Sequence, residues 1–252
     1  MNNVKLIFFV FIIKSLFAQV SIGEWGAFTT PLNIRDLIFN DKVYAATQGG
    51  LLQIDENAYQ VFTTVDGLQG VDLSSVKVDH NFHLWVGGES PFGFVQVFDP
   101  LTKTSIHNFD FGLTRINDIV ILDSLAFVLY EQGQDFGIMK FMYNEKWEYR
   151  DNFKNFPENM GYIKCISANN SVIFLGCDNG IFKGELKNNL KDPNNWLLLN
   201  PNIEFSITSL KNSQDSIFFS SNTNFYNYFI NQNSFIEIDF SYDFTNLNNF
   251  HI

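Results

Sequence analysis

The chain has 252 residues, a formal net charge of −11 and 46% hydrophobic residues, 29 of its side chains being Phe. That apolar content supplies a core and excludes a disordered chain. The acidic balance argues against nucleic acid and anionic membrane surfaces as partners.

Residues 1–18 carry Lys5, an apolar run over 6–13 and Ala18 as a small residue at a cleavage position. This is the pattern of a secretory signal peptide, shorter than the roughly 20 apolar residues a spanning helix needs. Its removal takes Lys5 and Lys14 and brings the net charge to −13. No later segment reads as a transmembrane helix. Residues 24–29, EWGAFT, read as a lone strand.

From there the chain repeats itself. Short runs rich in Val, Phe and Trp are bounded by Asp, Asn, Gly and Pro, as antiparallel strands are. The repeats fall near 34–62, 73–109, 116–150, 162–199 and 206–239. Each has an apolar position in its first strand: Leu37, Val76, Ile119, Ile166 and Leu210. Each has an aromatic slot in its second: Tyr44, Trp85, Phe127, Phe174 and Phe218. Each opens its third strand with Gly50, Gly93, Gly137, Gly180 or Asn224, spaced 43, 44, 43 and 44 residues apart. Gly and Asn tolerate positive φ, which suits a kink where a strand is re-entered.

A period of about 40–45 residues with four strands per unit is that of a β-propeller blade. The predicted fold is therefore all-β, a propeller of four-stranded antiparallel blades filling residues 19–252. Trp25 is expected to complete a last blade, since closure removes sheet edges. Residues 240–252 are too few for another blade, so the sequence is expected to be part of a longer protein. A self-closed five-bladed ring is the alternative.

Chemistry is sparse. Cys165 and Cys177 share one repeat, and a two-residue turn at Asn169-Asn170 would set position 165 opposite 174 and leave both thiols reduced and buried. His80 and His83 read as turn residues rather than zinc ligands. No nucleophile elbow, phosphate loop or zinc-protease motif occurs. No cofactor, metal or catalytic residue is predicted.

The loops differ more than the strands. The aromatic slot and the Gly slot lie 6 positions apart in repeats one, four and five, but 8 apart in repeat two and 10 in repeat three. The extra residues are Glu89, Ser90, Pro91 and Phe92, and a run holding Glu131, Gln132, Gln134, Asp135 and Phe136. Adjacent blades are expected to bring both loops to one face, with the linkers 66–72 and 110–115, as a binding surface.

Leu84-Trp85-Val86-Gly87-Gly88 resembles the Leu-Trp-hydrophobic-Gly element of two-component-regulator propeller repeats. Val43-Tyr44-Ala45-Ala46-Thr47 with Gly49-Gly50-Leu51 resembles an element of PorZ-type propellers, as does Ile22-Gly23-Glu24-Trp25 after the leader. This resemblance implies an exported, non-catalytic propeller of the periplasm or cell surface of a Gram-negative-type bacterium, working with type IX secretion. Its partner would be a protein or a surface glycan. A sensor propeller of a two-component regulator and a propeller-type polysaccharide lyase or glycosidase are the alternative readings.

Overall fold

The computed structural model describes residues 27–239, apart from positions 28, 57, 200–202, 204, 214 and 223. The expected signal peptide over 1–18, the strand expected at Trp25 and residues 240–252 lie outside the described residues.

The described chain is all-β: five four-stranded antiparallel sheets, each ordered as the strands follow in sequence, form a β-propeller. Blade 1 is β1 (Ile34–Asn40), β2 (Lys42–Thr47), β3 (Gly50–Asp55) and β4 (Ala58–Phe62). Blade 2 is β5 (Asp72–Val78), β6 (Leu84–Ser90), β7 (Gly93–Asp99) and β8 (Thr104–Leu113). Blade 3 is β9 (Arg115–Ile121), β10 (Leu125–Gln132), β11 (Asp135–Asn144) and β12 (Lys146–Phe153). Blade 4 is β13 (Ile163–Ala168), β14 (Val172–Cys177), β15 (Gly180–Glu185) and β16 (Trp196–Leu198). Blade 5 is β17 (Ser209–Ser213), β18 (Ser216–Ser221), β19 (Asn224–Phe229) and β20 (Ser234–Ile238).

The repeat positions read from sequence are in register. Leu37 pairs with Ala45, Val76 with Val86, Ile119 with Val128, Ile166 with Leu175 and Leu210 with Phe219. In every blade the aromatic slot therefore stands one step from the partner of the first-strand position, and a period-two strand sends the two residues to opposite faces. The packing follows. Tyr44 and Val76 share a core between blades 1 and 2, and Trp85 and Ile119 one between blades 2 and 3. Phe127 and Ile166 meet between blades 3 and 4, and Phe174 and Leu210 between blades 4 and 5. Burial of such side chains, at roughly 1.5–3 kcal/mol each, holds neighbouring blades together. Leu37 and Phe218, at the two ends of the series, belong to none of these four cores among the described residues; Leu37 is 37% exposed where Ile119 is 0%.

Some local expectations are corrected. Positive φ at the Gly slot holds for Gly50 and Gly180 (φ 125° and 109°). At Gly137 the need is space instead, since a Cβ there would lie 2.7 Å from the Tyr130 hydroxyl. The long loop expected at 131–136 is mostly strand, with only Gly133 and Gln134 between β10 and β11. Likewise Glu89 and Ser90 end β6, and Pro91-Phe92 forms the tip. The predicted 110–115 linker is also absorbed by β8 and β9, leaving Thr114 between them. The cysteine register was predicted wrongly: Asn169 N–H donates to the Val172 carbonyl, so the turn is longer and Cys165 pairs with Gly176, not residue 174. Both thiols are nonetheless buried and free.

Candidate functional site

In an antiparallel blade the turn between strands one and two and the turn between strands two and three lie at opposite ends. The structure thus has two faces and an axis, each with its own chemistry.

At the axis, all five first strands contribute. Asp36 Oδ2 accepts from the Val76 N–H at 2.9 Å and from the Ser75 hydroxyl at 2.9 Å. It also faces Lys77 Nζ at 2.5 Å. Asp118 repeats the device one blade pair later, accepting from the Ile166 N–H at 3.0 Å and standing 3.8 Å from Lys77 Nζ. Ser167 takes the same part between blades 4 and 5, accepting from the Asn212 N–H at 3.1 Å. Lys211 completes the lining of a cavity of about 50 Å3. Burial alone pushes the Lys77 ammonium down, but Asp36 and Asp118 outweigh it and hold it above its usual value. Burial pushes the Asp118 carboxyl up, against the pull of Lys77. Burial and then the Lys77 charge push Lys211 down. With two carboxylates and two ammonium groups the axis is balanced, and it ties successive blades together.

One face is formed by the first-hairpin turns. There Asp79, His80, Asp123, Asn169 and Asn170 line an open depression of about 500 Å3. Trp147 Nε1 donates to Asp79 Oδ2 at 2.8 Å, which fixes the blade 2 turn to the outer strand of blade 3. Among the described residues no group of three or more His, Cys, Asp or Glu could hold a metal ion.

The opposite face carries the residues singled out from sequence. Glu89 Oε1 lies 2.5 Å from Arg35 Nη1 of blade 1, and Glu89 Oε2 lies 3.2 Å from Arg115 Nε of blade 3. Arg35 also meets Asp72 at 2.8 Å. Arg115 pairs with Glu131 in the β9–β10 register, and Glu131 in turn accepts from the Tyr162 hydroxyl of blade 4. Tyr162 Oη also accepts from Asn117 Nδ2 at 2.8 Å. Burial first, then the hydrogen bond to Glu131, pushes the Tyr162 phenol up to about 12. Glu89 thus meets Arg115, which stands opposite Glu131 in the β9–β10 register. Ser90, Pro91 and Phe92 form the exposed tip beside them, with Phe92 41% exposed. Gln134 and Asp135 are exposed at the next tip. Gln132 Nε2 reaches back to the Phe111 carbonyl at 3.0 Å. Phe136 turns inward and stacks on Phe156 at 5.6 Å.

Sequence reasoning missed the rule behind this rim. Glu89, Glu131 and Asp178 each stand four residues after the aromatic slot of their blade. Asp178 accepts from the Ser206 hydroxyl at 3.1 Å and meets Lys164 at 2.9 Å. In three successive blades a carboxylate therefore reaches forward to the residue that leads into the next one: Arg115, Tyr162, Ser206. The same offset in blades 1 and 5 gives Gln48 and Asn222, so the signal lay in the repeat alignment.

No family model matches the chain, and no curated protein does. Solved structures do resemble it. One is PorZ, described as an essential bacterial surface component of the type-IX secretion system of Porphyromonas gingivalis; it shares 18% identity at a TM-score of 0.64. That match covers 85% of this chain and 29% of PorZ, so the chain spans under a third of that length. A second comes from a nidogen/laminin complex, with 11% identity, a TM-score of 0.60 and coverage of 82% of this chain and 78% of that one. At these identities the likeness establishes the propeller fold.

Proposed function

We propose that this chain is a non-catalytic binding and scaffold propeller, exported and working at the bacterial cell surface beside type IX secretion. The observation that carries the binding reading is the rim. Three inter-blade carboxylate contacts, at Glu89, Glu131 and Asp178, hold a rigid base. The exposed tips Ser90–Pro91–Phe92 and Gln134–Asp135 project from it, and binding groups concentrate on such tips. Its carboxylates are spent on neighbouring blades, which favours recognition over acid–base work. The likeness to PorZ supports the cell-surface and secretion setting, and the likeness to a chain solved in a protein–protein complex supports a protein partner, with a surface glycan as the other candidate.

The test replaces Ser90, Pro91 and Phe92 with Gly-Ser-Gly in the source cells and measures secretion of type IX cargo at equal levels of the protein. Cargo held inside the cell supports the reading. Undiminished secretion contradicts it. A two-component sensor would instead change transcription while secretion stays intact.

A further inference from the structure

Blade 1 exposes a row of side chains that the other blades bury. Phe39, Val43, Ile54 and Tyr59 are successive cross-strand partners through all four of its strands. Partners directly opposite one another share a sheet face, and the next residue along a strand takes the other. Tyr44, next to Val43, packs into the core with blade 2, so the row lies on the face turned away from blade 2. Phe39 is 71% exposed, Ile54 40% and Tyr59 75%.

The register locates the same row in the other blades. The counterparts of Val43 are Leu84, Ala126, Ile173 and Ile217, which are 1%, 0%, 0% and 0% exposed. Among the counterparts of Ile54, Phe98 and Phe141 are 0% exposed and Tyr228 2%. Their cover is always of one kind, the aromatic-slot face of the preceding blade. Tyr44 shares a core with Leu84 and Phe98, Trp85 with Ala126 and Phe141, Phe127 with Ile173, and Phe174 with Ile217 and Tyr228. The blade 1 row is thus half of a blade joint, and contiguous exposed apolar surface of this sort marks an interaction site.

The matching half stands at the other end of the series. Phe218, the aromatic slot of blade 5, is half-buried where its four counterparts are buried. Among the described residues none of the four cores joins blade 5 to blade 1. We propose that a second copy of this chain seats the Phe218 face of its blade 5 on the blade 1 row of Phe39, Ile54 and Tyr59. The contact repeats between copies the joint that the chain makes within itself. It is head to tail, so it leads to a closed ring of copies or to a growing row of them. The surface stands apart from the rim tips and holds whether or not the chain is exported.

The experiment follows the mass of the purified protein by light scattering over a concentration series, beside Tyr59→Asp and Phe218→Ser. The unaltered protein is expected to grow from one chain mass to at least two as concentration rises, and each variant alone to stay at one. Tyr59 is exposed, so Tyr59→Asp keeps the fold, which a circular-dichroism melt checks. A mixture of the two variants is the decisive arm. Tyr59→Asp retains a sound blade 5 face and Phe218→Ser a sound blade 1 row, so the mixture is expected to stop at a one-to-one dimer. An unaltered protein that stays at one chain mass overturns the proposal without reference to any variant, whether its own residues or another protein then cover the row. Assembly that survives Tyr59→Asp overturns it too.

Discussion

Arg115 and Glu89 lie in different blades, and their side chains meet at 3.2 Å between Nε and Oε2 while Glu89 reaches back 2.5 Å to Arg35 of a third blade. One carboxylate thus spans three blades at the rim. Glu89→Ala removes the carboxylate that Arg35 and Arg115 share, while Arg35 keeps Asp72; with Arg35 and Glu89 about four-fifths shielded the expected loss is about 1 kcal/mol. A urea unfolding midpoint checks it, and an unchanged midpoint would mean the contact holds nothing.

The axis should be more sensitive. Lys77→Met leaves Asp36 and Asp118 facing each other without their shared cation, and breaking a buried pair costs about 3–5 kcal/mol. The deficit should shrink in acid. A carboxyl held above its ordinary 3.8, as Asp118 is by burial, contributes stability that is full below 3.8 and lost as pH rises through its folded value. Adding Asp118→Asn to Lys77→Met should therefore recover part of the loss at neutral pH, read by thermal unfolding.

Equivalent repeat positions should differ in cost. Ile119→Ala empties a packed core position and is expected to lose about 2–5 kcal/mol. Leu37→Ala, at the same repeat position but 37% exposed, should lose less than about 1 kcal/mol. Paired denaturant curves decide, and equal losses would refute the four-core account.

Tyr162 offers an alkaline signature. Its phenol is raised to about 12 by burial and by the bond to Glu131. The associated stability is full below the ordinary value of 10 and is lost as pH climbs through about 12. Burial also raises the Tyr44 and Tyr228 phenols, so the readout is a difference: Glu131→Gln should move one late phenolate step of the ultraviolet titration toward 10 without reaching it, because burial remains.

The fold was legible because propeller packing writes the same demand into every blade. Leu51, Phe94, Ile138, Ile181 and Phe225, which follow the Gly slots, are all buried, and so are Trp85, Phe127 and Phe174 in the aromatic slot. Hairpin lengths were not legible. Extra residues between Phe127 and Gly137 read equally well as a loop or as longer strands, and inter-strand hydrogen bonding took the second course. The rim was half legible: Glu89 and Glu131 drew notice as insertion residues, whereas their shared role with Asp178 depends on contacts across blades.

The cell-surface reading meets its most direct test in intact-cell labelling of Phe92→Cys. Phe92 is exposed at the rim tip, while the native Cys165 and Cys177 are buried with thiols that burial pushes well above their usual value. A membrane-impermeant maleimide should label the variant on intact source cells and leave the parent protein unlabelled. Labelling that appears only after the cells are broken would contradict a surface propeller.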